Sequence, residues 1–348
     1  MSRFLIYGAN GYTGRLIVRE AVAAGLRPVV AGRNRVAVEA LAREHDLEAR
    51  AFDLIDRAAL AAALADVPLV LNCAGPFSQT VEAMLGACLA TGVHYLDITG
   101  EIDVFARCHR ADADAKRAGI IVLPGTGFDV VPTDCTAAML KRRLPDATSL
   151  VLAFEAGGGP SPGTAKTSIE GLGRGGRARI GGKLVSVPLA WKTREFVRAD
   201  GTRRLGMTIP WGDVYTAFVS TGIADVKVYM TVSPATVVKL RRLRAFGPLL
   251  RLGFVQRFLQ ARAGRTSGPS PGRRERTACT IWGEVRNARG DEARLTLTTP
   301  NGYDFTAAAA TGIVRCVLAG DVEPGYSTPS QLMGADYVLR LPGVGAFG

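Results

Sequence analysis

The chain of 348 residues carries a formal net charge of +12, with 47% apolar and 21% charged side chains. That length exceeds one ordinary core and points to two domains or one large one, while the composition excludes collagen and global disorder. The six cysteines (Cys73, Cys88, Cys108, Cys135, Cys279, Cys316) form no CxxC pair and have no histidine at metal-ligand spacing, so neither a metal site nor a disulfide framework is expected.

Met1 is followed by Ser-Arg and a short apolar run, not by a basic stretch and a long apolar segment, so the cytoplasm is the expected compartment. The first predicted strand, Phe4 to Tyr7, leads directly into Gly8-Ala9-Asn10-Gly11-Tyr12-Thr13-Gly14, with a helical pattern from Arg15 to Ala24. Glycines at that spacing permit a tight strand-to-helix turn, close approach of backbone to a pyrophosphate, and phosphate binding at the helix N-terminus. The candidate dinucleotide contacts are therefore Gly8, Asn10, Gly11, Tyr12, Thr13 and Gly14. The second strand, Pro28 to Ala31, ends in Gly32-Arg33-Asn34, and no acid stands between Leu26 and Val38 to take a ribose 2′-hydroxyl. Arg33 can pair a 2′-phosphate, with Gly32 leaving room and Asn34 beside it, so NADP is the expected cofactor. The other reading of Arg33 is a solvated loop charge.

A third strand, Ala49 to Phe52, is followed by Asp53, which either flanks an adenine or caps the next helix. The fourth, Leu69 to Asn72, runs into Cys73-Ala74-Gly75-Pro76-Phe77, a turn that would lie near a nicotinamide ribose or merely end the strand. Tyr95 to Ile98 and Ile120 to Leu123 complete the series. Helical patterns at Val36 to His45, Ala58 to Ala65, Thr80 to Thr91 and Val104 to Ala118 separate the strands. Continuous apolar strands alternating with helices predict an α/β domain of the Rossmann type, a doubly wound parallel sheet.

After a helix over Pro132 to Arg143, glycine-rich loops and longer strands suggest a second α+β domain with a mixed or antiparallel sheet. The expected division is 1–147 for dinucleotide binding, 148–308 for substrate and dimerisation, and 309–348 for a C-terminal helical segment packing back on the first domain. Arg294 to Thr299 is expected to meet Tyr303 to Ala307 in a hairpin across Pro300-Asn301-Gly302. Ala308 to Leu318 reads as a helix, with one more around Ser330.

The charge is uneven. Residues 1–150 hold 16 basic and 17 acidic side chains, and 151–348 hold 27 and 14. Lys239 to Arg276 contains eleven Lys or Arg against the single acid Glu275. Its first part, 237–262, mixes Leu and Phe with Arg at helical spacing, broken by Pro248. It reads as a packed helix with a solvated face, a membrane-surface segment, or a site for an acidic carrier protein. No motif for nucleic acid accompanies it.

The chain resembles the saccharopine dehydrogenase-like oxidoreductases, including their trans-acting enoyl reductase branch. The resemblance rests on Gly8 to Gly14, Asn72 to Phe77, Tyr95-Leu-Asp-Ile-Thr-Gly-Glu101 and Gly127-Phe-Asp-Val-Val-Pro-Thr-Asp134. It continues in Pro162 to Ala165, Pro210 to Asp213, Ser220 to Gly222 and Thr328 to Ser330. It implies a homodimer and the NADPH-dependent reduction of an imine or an activated alkene.

No tyrosine has a lysine four residues on, and the three histidines form no Ser-His-Asp pattern, so short-chain dehydrogenase and hydrolase chemistry are disfavoured. A reductase needs a proton donor near the carboxyl ends of the strands. The candidates are Tyr95, Asp97 and Asp129, with His94 and Glu101 nearby; the competing readings are a core tyrosine and helix-capping or loop-capping carboxylates. Lys166 and Tyr215 are candidate substrate contacts. The expected function is NADPH-dependent reduction of a C=C or C=N bond in a small or carrier-linked hydrophobic substrate. The alternative is a non-catalytic NADP-binding or membrane-associated protein.

Overall fold

In the computed structural model, residues 3–157, 159–250, 252–263 and 268–348 are described. The chain divides into two compact units, Met1–Val131 with Tyr303–Gly334, and Pro132–Gly302 with Ala335–Gly348. This differs from the expected division at both ends. Residues 132–147 group with the second unit, and the C-terminal stretch is shared between the two.

The first unit is built on strands β1 (Arg3–Tyr7), β2 (Arg27–Gly32), β3 (Ala49–Ala51), β4 (Leu69–Asn72), β5 (His94–Asp97) and β6 (Ile121–Leu123). They form a parallel sheet in the order β6-β5-β4-β1-β2-β3, to which the short late strand Gly325–Tyr326 adds beside β6. Phe4, Leu5, Ile6, Leu69, Val70, Leu71 and Leu96 are all completely buried, because helices cover both faces of the sheet.

The covering helices are α1 (Tyr12–Ala23), α2 (Arg35–His45), α3 (Arg57–Leu64), α4 (Val81–Thr91), α5 (Ile102–Arg110) and α6 (Asp112–Ala118). Helix α1 buries Gly14, Ile17, Val18 and Ala21, spaced three and four apart on one face. Asn34 caps α2 and Asp56 caps α3 by accepting the backbone N–H three residues on. The single helix expected over Val104 to Ala118 is two, α5 and α6, meeting at Ala111.

Helix α7 (Val131–Arg143) leads into the second unit. There the strands are β7 (Ser149–Glu155), β8 (Gly176–Ile180), β9 (Lys183–Val187), β10 (Thr193–Val197), β11 (Arg203–Thr208), β12 (Asp225–Thr231), β13 (Ala278–Arg286) and β14 (Glu292–Pro300). The sheet runs β10-β11-β12-β7-β13-β14, with β8 and β9 branching from β12. Only the β12–β7 pair is parallel, so the sheet is mixed, as expected.

The expected hairpin at Pro300 to Gly302 is not formed. Residues Gly302–Leu318 are one helix, and β14 pairs instead with β13. The hairpin turn is Asn287 to Asp291, where the Asn287 carbonyl oxygen Oδ1 accepts from the N–H groups of Arg289 and Asp291 at 3.0 and 2.9 Å. The reason is periodicity: Phe305, Ala309, Ile313 and Val317 are buried at four-residue spacing, which only a helix turns to one side. The tail is split as well. Tyr326 N–H donates to Asp112 in the first unit at 2.9 Å, whereas Gly345 N–H donates to the Thr298 carbonyl in the second at 2.9 Å. No helix among the described residues is long and apolar enough to cross a membrane.

Candidate functional site

Strand β1 ends in a turn whose geometry depends on missing side chains. Gly8 has φ +79°, and its N–H and that of Ala9 donate to the Ala31 carbonyl at 2.8 and 3.1 Å. A Cβ at Gly8 would lie 2.8 Å from Ala74 N, and one at Gly14 only 2.4 Å from the Gly8 carbonyl oxygen. Gly8 thus lets the β4 loop approach, and Gly14 lets α1 pack onto the turn. Gly11 is the N-cap of α1, in an extended conformation and with no side chain capping the first turn. The positive end of the helix is left for an anion. Arg15 Nε donates to the Asn10 carbonyl at 3.2 Å, which pins the turn, and the Tyr12 ring meets Tyr303 edge-on at 4.9 Å. Thr13 lies in the first turn of α1 and is partly exposed.

Arg33 is exposed at the carboxyl end of β2 and makes no ion pair with any described residue. Gly32 lies close to the glycine turn, since a Cβ there would lie 2.8 Å from Asn10 Oδ1 and would push that side chain aside. Asn34 spends its Oδ1 on capping α2, at 3.1 Å from Ala37 N. Asp53 is not the cap of α3, which is Asp56; its Oδ1 accepts from Ile55 N–H at 3.1 Å and shapes the loop after β3. Two apolar side chains that the sequence did not single out stand open at these strand ends, Val36 at 75% and Ile55 at 89% exposure. Tyr7, which lies close enough to Asp53 and Arg33 to feel both charges, has its hydroxyl pushed up to about 12, chiefly by burial.

The loop after β4 is braced on three sides. The Asn72 amide, fully buried, accepts from Ala74 N–H at 3.0 Å and donates to Thr80 Oγ1 at 3.0 Å, and Thr80 in turn donates to the Ala74 carbonyl at 3.0 Å. Glu101, at the start of α5, accepts from Phe77 N–H at 2.8 Å and Ser78 N–H at 2.9 Å. Ala74, Gly75, Pro76 and Phe77 are thereby held in one conformation, with Gly75–Pro76 cis. The bracing roles of Asn72, Thr80 and Glu101 were not legible in the sequence, although each stands at a strand or helix end, where such roles concentrate.

Tyr95 and Asp97, on one face of β5, are both completely buried. The Tyr95 hydroxyl donates to Asp97 Oδ2 at 2.7 Å, while Asp97 Oδ1 accepts from Thr99 N–H and Gly125 N–H, each at 2.9 Å. Asp97 therefore ties the loop after β5 to the loop after β6, and Tyr95 orients it. Burial pushes Asp97 up to about 6 against the pull of these donors, and pushes Tyr95 well above its usual range. Burial likewise lowers the His94 imidazole, whose Nδ1 accepts from Ile121 N–H at 3.0 Å.

Asp129 follows β6 and is only partly covered. Burial first, and the Glu101 charge second, push its carboxyl up to about 7. Gly100 admits it: a Cβ there would stand 2.8 Å from Asp129 Oδ2. Thr306 fixes the same loop from far along the chain, its Oγ1 accepting from Phe128 N–H at 2.9 Å. A partner 178 residues away left no sequence signal.

Residues 4–123 match the model of the saccharopine dehydrogenase NADP binding domain. Over 147 residues the chain is 31% identical to a probable mitochondrial saccharopine dehydrogenase-like oxidoreductase of Arabidopsis thaliana, covering 37% of this chain and 32% of that one. Over 190 residues it is 29% identical to a putative trans-acting enoyl reductase of Mycobacterium tuberculosis, covering 48% and 43%. By these matches the chain is similar to the saccharopine dehydrogenase-like oxidoreductases. It spans less than half the length of these two relatives. Its fold is that of apo saccharopine dehydrogenase (L-Glu forming) from Saccharomyces cerevisiae, with a TM-score of 0.67 over 98% of this chain and 96% of that one at 14% identity.

The first unit matches an NADP binding domain over residues 4–123, and its residues fit that cofactor. The uncapped first turn of α1 suits the pyrophosphate, the braced Ala74–Phe77 loop approaches Gly8 within the reach of a Cβ, and Arg33 is an unspent cation. When bound, the cofactor supplies or takes up a hydride. The candidate substrate contacts belong to the second unit. Tyr215 packs under the buried Arg179 guanidinium, 5.5 Å from the ring centre, and the side chain of Lys166 lies outside the described residues.

Proposed function

We propose that this protein is an NADPH-dependent reductase of an activated C=C or C=N bond in a small or carrier-linked hydrophobic substrate. The observation that carries the reading is Asp129, a carboxyl group at the sheet's carboxyl ends that keeps its proton to about pH 7. A general acid works best when its pKa lies near the working pH, and Asp129 meets that condition without a histidine or a Tyr-Lys pair. In this reading Glu101 has two tasks, holding the Phe77 and Ser78 amides and raising Asp129 by its charge. Tyr95 and Asp97 are positioning residues, since their side chains are spent on one another and on the loops. Arg33 selects the 2′-phosphate, and Val36 and Ile55 offer apolar surface to the adenine.

The name of the mycobacterial relative, a putative trans-acting enoyl reductase, favours an enoyl group over an imine. None of the six cysteines is in a disulfide, which suits the reducing cytoplasm. The deciding experiment follows NADPH consumption with a panel of enoyl thioesters and imines. Turnover of one class identifies the bond reduced. Tight NADPH binding with no turnover on either class would overturn the reductase reading in favour of a non-catalytic NADP-binding protein.

A further inference from the structure

Six of the twelve large apolar side chains left exposed among the described residues fall within one short stretch of the second unit: Val238, Phe246, Leu249, Leu252, Phe254 and Phe258. The stretch comprises the helix Pro234–Leu243, a 3-10 turn at Arg244–Phe246, one helical turn at Gly247–Leu250 and the helix Gly253–Ala263. Val238, Lys239, Arg242 and Phe246 line a single shallow concavity. Phe254 and Phe258, 63% and 67% exposed, stand one turn apart on one helix face, with Arg257 between them in sequence.

The cations are of two kinds. Arg244 donates to the Leu189 carbonyl at 2.7 Å and to the Ala190 carbonyl at 2.8 Å, and Arg241 donates to Ala190 at 3.3 Å. These two anchor the stretch to its own domain. Lys239, Arg242, Arg257 and Arg262 are exposed or partly exposed and make no ion pair with a described residue; from Lys239 to Arg276 the only acid is Glu275. Phenylalanines held in water beside cations held without counter-charges suit one environment, the headgroup boundary of an anionic bilayer. Helices of ten and eleven residues cannot span a bilayer, but they can lie along it. A second copy would bring like charge against like, and charge complementarity argues against it.

We propose that residues 234–250 and 252–263 form a peripheral docking surface for anionic lipid membranes, with Phe254 and Phe258 inserted among the acyl chains and Lys239, Arg242, Arg257 and Arg262 at the phosphates.

The test is flotation of the full chain with vesicles of phosphatidylcholine alone and of phosphatidylcholine mixed with phosphatidylglycerol. Binding is expected to the mixed vesicles only and to weaken with added salt. The double variant K239Q/R242Q should bind about 25-fold more weakly, at about fivefold for each cation removed. F254S/F258S should abolish flotation while leaving NADPH affinity and the melting temperature near those of the parent, which separates lost docking from lost folding. Failure of the parent to float, equal binding to both vesicle types, or undiminished binding by F254S/F258S would overturn the proposal. So would light scattering that shows a dimer which F254S/F258S dissolves, since the face would then be a contact between copies.

Discussion

Glu101 and Asp129 are coupled across the carboxyl ends of β5 and β6: the charge of Glu101 adds to burial in holding Asp129 protonated up to about pH 7. The sign of the pH dependence follows. A donor must carry its proton, so activity at saturating NADPH should be level below about pH 7 and fall as the pH rises through that value. D129N should lower kcat by about a hundredfold or more and leave the NADPH Kd little changed. A parent-like rate in D129N would remove Asp129 from the chemistry.

Removing the Glu101 charge should move that profile. In E101Q one contribution raising Asp129 disappears, so the alkaline limb should shift to lower pH. A role of Glu101 in bracing alone would leave the limb in place, and the pH–rate profile of the variant distinguishes the two.

Bracing has its own readout. E101A leaves the Phe77 and Ser78 amides without their acceptor and should cost about 1–3 kcal/mol, with weaker NADPH binding. Denaturant unfolding of E101A beside E101Q measures it, and the glutamine should recover part of the loss because it keeps one acceptor oxygen.

Arg33 is the test of cofactor choice. R33A should weaken NADPH binding by about tenfold to a hundredfold, the worth of a charge-assisted contact, and leave NADH binding nearly unchanged. Titration of the two nucleotides by fluorescence would show it; equal losses would mean that Arg33 is a solvated charge.

G14A should destabilise the protein by about 1–3 kcal/mol or more and abolish NADPH binding, because its Cβ would stand 2.4 Å from the Gly8 carbonyl. G86A is the matched control. That glycine is exposed within α4, with nothing within 4 Å of its Cβ position, so alanine there should be neutral or stabilising by about 0.5–1 kcal/mol. Thermal unfolding of the pair separates steric exclusion from helix propensity.

Much of the first unit was legible in the sequence. The glycine turn, the alternation of buried strands and helices and the acid-free end of β2 are local patterns, and local patterns survive folding when one face of a helix or both faces of a strand must be buried. Phe305 to Val317 shows the limit of such reading. Asn301-Gly302 signals a hairpin when read over a few residues, but the four-residue spacing of buried side chains over the next fifteen made it a helix start. Among the proton-donor candidates, Tyr95, Asp97 and Asp129 looked alike in sequence, each an ionisable side chain near a strand end. Packing separated them. Tyr95 and Asp97 are completely buried and bonded to each other, whereas Asp129 is only partly covered and shares its surroundings with Glu101.

By itself the sequence determined the cofactor-binding turn, since which positions lack a Cβ or a carboxylate is a matter of composition and spacing. Only the tertiary structure decided which carboxyl group keeps a proton near neutral pH, which amides Glu101 holds, and that Thr306 steadies the Phe128 loop. Those properties depend on burial and on distances between residues far apart in the chain, and neither quantity is written in any local stretch of residues.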